Sequence, residues 1–131
     1  MIRLHTAATP NGRKISIGLE ELGLDYEVKR YQRDPKTMLA PASLKAVHPL
    51  GKSPVITAGA NTIAESGAII EYLVERYGPT PLALSVDEPE YGVYLNWLHR
   101  SDATLTFPLT LVLRYTQLEP EEKRNPQVAE D

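Results

Sequence analysis

The sequence predicts an α/β domain with a mixed four-stranded sheet, followed by the beginning of an all-α domain. Three observations carry this expectation. Residues 2–31 run through strand, helix and strand signals in that order, residues 55–64 hold two short β-branched runs around a turn, and beyond residue 88 the apolar spacing is helical. A strand–helix–strand unit makes a right-handed parallel crossover and a hairpin adds antiparallel neighbours, so one sheet carries both senses. Residues 1–78 are expected to form the α/β domain, the proline-bearing 79–88 a linker, and 89–131 the start of a helical domain that is incomplete.

Each element has its own local reason. Residues 2–5, IRLH, open as a strand and meet the turn-rich TAATPNG. Ile15, Leu19 and Leu22 then recur at i, i+4 and i+7 on one helix face, and Gly23 stands where a helix end takes a positive φ. YEVKRY, residues 26–31, lies between Asp25 and QRDP and reads as the second strand. MLAPASLKAV, interrupted by Pro41, leaves room for a short helix and an irregular loop. Residues 55–57 and 62–64 are strands joined by AGAN, whose Gly59 and Asn61 suit a hairpin. In ESGAIIEYLVERYG, Ile69, Leu73 and Tyr77 share a helix face, Ser66 can cap the start, and Gly78-Pro79 is a stop signal. Residues 90–115 read as one long helix that Pro108 kinks or breaks. Its apolar side chains, among them Tyr94, Leu95, Trp97, Leu98, Leu105 and Leu109, are more than the polar tail can cover, so other helices or a second copy of the chain are expected against them.

Composition narrows the function classes. The chain has 131 residues, 42% of them hydrophobic, and a net charge of -3 with both signs interspersed, which provides no basic footprint for nucleic acid or an anionic membrane. No apolar run approaches the roughly 18 residues of a membrane span, and MIRLHTAATP lacks the apolar core of a signal peptide. A cytoplasmic protein with neither nucleic-acid nor membrane partners is expected. Without cysteine the chain has no disulfide, no zinc–thiolate site and no cysteine nucleophile, so any sulfur chemistry arrives on a ligand. His5, His48 and His99 have no metal-like spacing and read as structural, and no metal is expected.

AVHPLGKS, residues 46–53, lacks only a leading glycine to match G-x-x-x-x-G-K-[ST]. A phosphate-cradling loop needs a strand before it and a helix that starts at the Lys-Ser. Here Pro49 sits inside the would-be nest, and the β-branched run after Pro54 reads as a strand. The stretch is therefore a lysine-bearing loop that feeds a strand through a proline.

This order of elements, with a proline opening the third strand, resembles the thioredoxin-like N-terminal domain of the cytosolic glutathione transferases. RYQRDPKTMLAPASLKAVHPLGKSPV and AESGAIIEYLVERYG look like bacterial and fungal transferases of the yeast Gtt-like kind, and NWLHRSD is similar to their first C-terminal helix. TPNGRKI resembles the active-site loop of the nu-class transferases and of the yeast prion-forming nitrogen regulator. Met38 and Gly67 depart from the nu-class pattern, where polar contacts to glutathione are usual.

The resemblance implies glutathione as co-substrate, a homodimer, and activation of the glutathione thiol for conjugation to an electrophile or for disulfide or peroxide reduction. It places Thr9 and Asn11 at the sulfur, Lys52 at the glycyl carboxylate, and Ser53, ahead of a cis Pro54, alongside the cysteinyl main chain. Glu65 and Ser66 would hold the γ-glutamyl end. Tyr91, Tyr94, Trp97 and His99 would border the second-substrate site or pack in an interface, and Asp102 would reach the glutathione ammonium from a neighbouring subunit. Taken by themselves, the residues leave alternatives open. Thr9 before Pro10 is also a helix N-cap with proline at N1, Asn11-Gly12 a turn pair, and Glu65-Ser66 a plain helix start. The same fold also serves a non-catalytic glutathione- or ligand-binding regulatory protein.

Overall fold

Alternation along β1, Ile2–Ala7, sets the two faces of the sheet: Ile2 and Leu4 enter the core, while Arg3 between them stays exposed. The structure is a computed structural model and describes residues 1–36 and 39–129. β1 runs parallel to β2, Tyr26–Tyr31, in a register from Ile2↔Tyr26 to Ala7↔Tyr31. It runs antiparallel to β3, Val55–Ala58, which pairs antiparallel with β4, Asn61–Ala64, giving the order β2-β1-β3-β4. The chain thus has the thioredoxin-like α/β architecture with a mixed four-stranded sheet. β1 extends past His5 because Thr6 and Ala7 continue the ladder opposite Arg30 and Tyr31.

Two helices cover one face. α1, Pro10–Glu21, delivers Ile15 and Leu19, and α3, Ser66–Tyr77, delivers Ile69 and Leu73; with Ile2, Leu4, Ile56 and Ala58 they form the core. α1 ends at Leu22 and Gly23, the latter at φ 62, where a side chain would be strained. The short α2, Ala42–Lys45, contributes the fully buried Leu44. Ser66 is not the cap of α3 but its first helical residue; Glu65 takes the cap position and makes no side-chain cap bond, and the Ser66 hydroxyl is engaged by Lys14 instead. The peptide bonds Ser53–Pro54 and Gly78–Pro79 are cis, the first as the family resemblance implies.

The chain divides into two compact units, Met1–Ala83 and Leu84–Asp131. The second begins with α4, Tyr91–Arg100, and continues without a break through a π-helical turn, Ser101–Thr106, into α5, Phe107–Leu113, and a second π-helical stretch, Arg114–Leu118. Pro108 therefore does not break the helix. A proline ring collides with the carbonyl four residues back in a regular α-turn, and the wider turn before it removes that conflict: Phe107 N–H donates to Asp102 O, five residues back, and the Thr106 hydroxyl donates to Ser101 O at 2.6 Å. Two 3₁₀ turns, Glu121–Lys123 and Pro126–Ala129, follow. Among the described residues no helix is long and apolar enough to cross a membrane.

Candidate functional site

The sheet topology brings three chain segments to one end. β1 finishes there at Ala7, β3 begins there at Val55 and β4 finishes there at Ala64, as the registers His5↔Val55 and Val55↔Ala64 require. The segments 8–9, 52–54 and 65 leave or enter the sheet at this end, and α1 and α3 start from two of them with their N-termini. All the residues expected at the site in the first unit lie on these segments or in the first turns of those helices.

The contacts among them are specific. The Ser53 hydroxyl accepts from Ala7 N–H at 3.2 Å, tying the β3 entry to the end of β1. Pro54 is buried. Thr9 is the N-cap of α1: its backbone is extended and its hydroxyl oxygen accepts from Gly12 N–H at 3.2 Å, with Pro10 at N1. This leaves the Thr9 hydroxyl proton available as a donor. Asn11 is half-buried in the first turn, Lys52 is exposed in the loop before β3, and Glu65 is exposed at the head of α3. Among the described residues Asn11, Lys52 and Glu65 make no side-chain hydrogen bond or ion pair, so their polar groups stand ready for a ligand. Lys52 precedes a strand and not a helix, which disposes of the phosphate-loop geometry.

Glu65 has the only positive φ of a non-glycine residue among those described, at φ 69 and ψ 120. L side chains reach that region only at a cost, and such residues concentrate at functional sites. Directly beside it, Lys14 Nζ donates to the buried Ser66 hydroxyl at 3.0 Å. Lys14 was not singled out in the sequence. Its helix was recognisable, but the pairing of α1 with α3 across the sheet face, which aims this ammonium at the head of α3, exists only in three dimensions.

Beneath the site His5 is almost fully buried at 4% exposure and bridges three strands, with Nδ1 at 3.0 Å from Tyr31 Oη and Nε2 at 3.2 Å from Thr57 Oγ1. Burial, reinforced by the charges of Lys29 and Arg3, lowers its pKa from the ordinary value. It is a structural histidine. His48 lies in the loop after α2, its ring receiving Leu50 N–H at 3.4 Å. In the second unit Tyr91 and Tyr94 stack at 6.0 Å, Arg100 lies 5.1 Å over the Trp97 ring, His99 borders a shallow depression of α4, and Asp102 sits in the π-helical turn. Met38 lies outside the described residues, and Gly67 is the second residue of α3.

Comparison with known proteins agrees with this arrangement. The family described as glutathione S-transferase, N-terminal domain, matches residues 8–76. Glutathione S-transferase 3 of Schizosaccharomyces pombe is 39% identical over 105 residues, which cover 80% of this chain and 43% of that protein. The disulfide-bond oxidoreductase YfcG of Escherichia coli is 36% identical over 105 residues, covering 75% of this chain and 47% of its own. A crystal structure of the glutathione transferase URE2P6 from Phanerochaete chrysosporium, in complex with oxidised glutathione, superposes with a TM-score of 0.79 at 32% identity over 98% of this chain and 60% of that one. The chain thus spans less than half the length of these two curated relatives. The family match across the strands and helices that build the site, together with this degree of identity, makes the chain a member of the glutathione S-transferase family.

Proposed function

We propose that the protein binds glutathione at the sheet end formed by β1, β3 and β4 and activates its thiol for transfer to an electrophile or for reduction of a disulfide or peroxide. The observation that carries the reading is the convergence there of groups matched to the tripeptide: Lys52 for the glycyl carboxylate, the edge at Ser53 and Pro54 for the cysteinyl main chain, and Glu65 for the ammonium. The Ser66 hydroxyl, at the N-terminus of α3 and held by Lys14, takes the γ-glutamyl carboxylate. Names of relatives, glutathione S-transferase and disulfide-bond oxidoreductase, support both branches of the chemistry.

Thr9 and Asn11 act on the sulfur. Lowering a thiol pKa by two units from about 8.5 requires about 2.7 kcal/mol in favour of the thiolate. One hydrogen bond to a charged group contributes roughly 1.5–3 kcal/mol, and a helix N-terminus adds roughly 0.3–1 kcal/mol. A hydroxyl donor from Thr9 or an amide donor from Asn11, at the start of α1, is enough. The protein works in the cytoplasm as a homodimer, with the apolar residues of 91–118, such as the exposed Trp97 and Leu109, covered in the assembly or against further helices.

The test is a thiolate absorbance titration of bound glutathione. Thr9→Ala and Asn11→Ala should raise the thiol pKa while leaving glutathione affinity within roughly tenfold, about 1.4 kcal/mol; Lys52→Ala should weaken affinity and leave the pKa in place. An unchanged pKa in both loop variants returns Thr9 and Asn11 to capping and turn roles. Retention on immobilised glutathione without turnover of any electrophile or disulfide identifies a binding protein in place of an enzyme.

A further inference from the structure

Asn11 carries a second chemistry, set by its neighbour in sequence. Of the four asparagines in the chain it alone precedes glycine; Asn61, Asn96 and Asn125 precede Thr62, Trp97 and Pro126. In an Asn-Gly pair the backbone nitrogen of the glycine can attack the side-chain carbonyl of the asparagine, because no Cβ on the second residue obstructs the five-membered ring that forms. Packing fixes this glycine: a Cβ at Gly12 would overlap Thr6 Oγ1 and stand 3.1 Å from Ala7 O, so no bulkier residue can take the position and slow the reaction. Asn11 is half-buried, and its carboxamide makes no hydrogen bond among the described residues. Restraint comes from Thr9, whose hydroxyl oxygen accepts from Gly12 N–H at 3.2 Å and whose carbonyl accepts from Arg13 N–H at 3.1 Å. Pro10 at N1 has no N–H to offer, so these two bonds anchor the first turn of α1. The nitrogen that would attack is the one whose proton Thr9 holds.

We propose that Asn11 is a site of spontaneous modification, deamidation through a cyclic imide, and that the Thr9 cap is what keeps it an amide. Gly12 N loses its proton and bonds to Asn11 Cγ, the bond from Cγ to the amide nitrogen breaks, and ammonia leaves. Water then opens the ring at either carbonyl, giving aspartate or isoaspartate. One water is consumed and one ammonia released, with no oxidant or reductant. The ring forms from the frayed turn, so the rate follows how often the first turn of α1 opens. Isoaspartate also routes the main chain through the former side chain, adding one carbon within that turn. Either product bears a negative charge where the amide was neutral. On the glutathione reading that charge stands at the sulfur, where it disfavours the thiolate and raises the thiol pKa; the modification itself does not rest on that reading.

The experiment incubates the full protein at mildly alkaline pH, which favours loss of the amide proton, and follows the tryptic peptide 4–13 by mass spectrometry; Asn11 is its one side-chain amide. Acid should accumulate at Asn11 ahead of Asn61, Asn96 and Asn125. It should form about fivefold faster in Thr9→Ala, a factor equivalent to about 1 kcal/mol of lost capping, and at the parent's rate in Thr9→Ser, which keeps the hydroxyl. Equal rates in the parent and Thr9→Ala, no rescue by serine, an equal rise at Asn61, or modification no faster at Asn11 than at the other asparagines overturns the proposal. The consequence is read separately from the thiolate absorbance of bound glutathione, where Asn11→Asp should raise the thiol pKa further than Asn11→Ala. The same pKa in those two variants defeats only the placement of Asn11 at the sulfur, and a silent peptide 4–13 defeats only the modification.

Discussion

Glu65→Gly separates the two things this residue does. Its backbone at φ 69, ψ 120 is unfavourable for any side chain, at a cost of order 1–3 kcal/mol. Glycine removes that cost but brings back about 0.5–1 kcal/mol of unfolded-state entropy, which leaves a net gain on the order of 1 kcal/mol and at most about 2.5 kcal/mol. With a urea slope of about 1–3 kcal/mol per molar, the unfolding midpoint should rise by a few tenths molar or more. Glutathione affinity should fall in the same variant. Losing a charge-assisted partner for the γ-glutamyl ammonium costs roughly 1.5–3 kcal/mol, a tenfold to hundredfold weaker complex. Glu65→Gln is the control: it keeps the backbone strain, so its midpoint stays with the parent's, yet it loses the negative charge and should bind glutathione nearly as poorly as the glycine variant. Urea titrations and calorimetry on the three proteins decide it. A glycine variant no more stable than the glutamine variant refutes the strain argument, and unchanged affinity in both refutes the placement of the ammonium.

Other outcomes follow from single contacts. Lys14→Met keeps the aliphatic stem but removes the donor to Ser66, so glutathione should bind about tenfold more weakly in calorimetric titration. Gly12→Ala should destabilise by about 1–3 kcal/mol, since the new Cβ would overlap the Thr6 side chain and stand 3.1 Å from Ala7 O, and Thr6→Ala in the same background should recover part of the loss. His5 is held neutral with its pKa depressed below the unfolded value near 6.5, so its contribution is complete above that pH and is lost as pH falls through it, where the unfolded chain takes up a proton the native state refuses. Denaturant midpoints at pH 7.5 and 5.5 should therefore converge in His5→Gln relative to the parent.

Much of the fold was legible because its signals are local. The stripe Ile15, Leu19 and Leu22, the Gly23 stop, the AGAN turn and the Gly78-Pro79 stop each act within one element, and each element formed. What was not legible depends on neighbours distant in the chain. β1 runs on through Thr6 and Ala7 because β2 offers ladder partners, against the turn character of the sequence there. Pro108 is accommodated by a wide turn that no propensity at the proline itself announces. At the site, Thr9 as an N-cap was readable from Thr-Pro-Asn-Gly, whereas the cap of α3 was displaced by one residue, from Ser66 to Glu65, because the serine hydroxyl had a partner in α1.

That displacement bears on how the site recognises its ligand. A plain capping serine would spend its hydroxyl oxygen on an N–H of its own helix; here that oxygen accepts from the Lys14 ammonium, which brings a cation to the first turn of α3. In the proposed complex two cations, Lys14 and Lys52, and one anion, Glu65, would oppose a zwitterion with two carboxylates and one ammonium, sign against sign. The sulfur would then meet only neutral groups, Thr9 and Asn11. This division has a kinetic meaning. Binding energy drawn from the charged ends is the same for thiol and thiolate and cannot lower the barrier to attack, whereas a neutral donor at the sulfur favours the thiolate alone. On the proposed assignment affinity and reactivity should therefore separate by mutation, the former falling in variants at residues 14, 52, 65 and 66 and the latter in variants at 9 and 11.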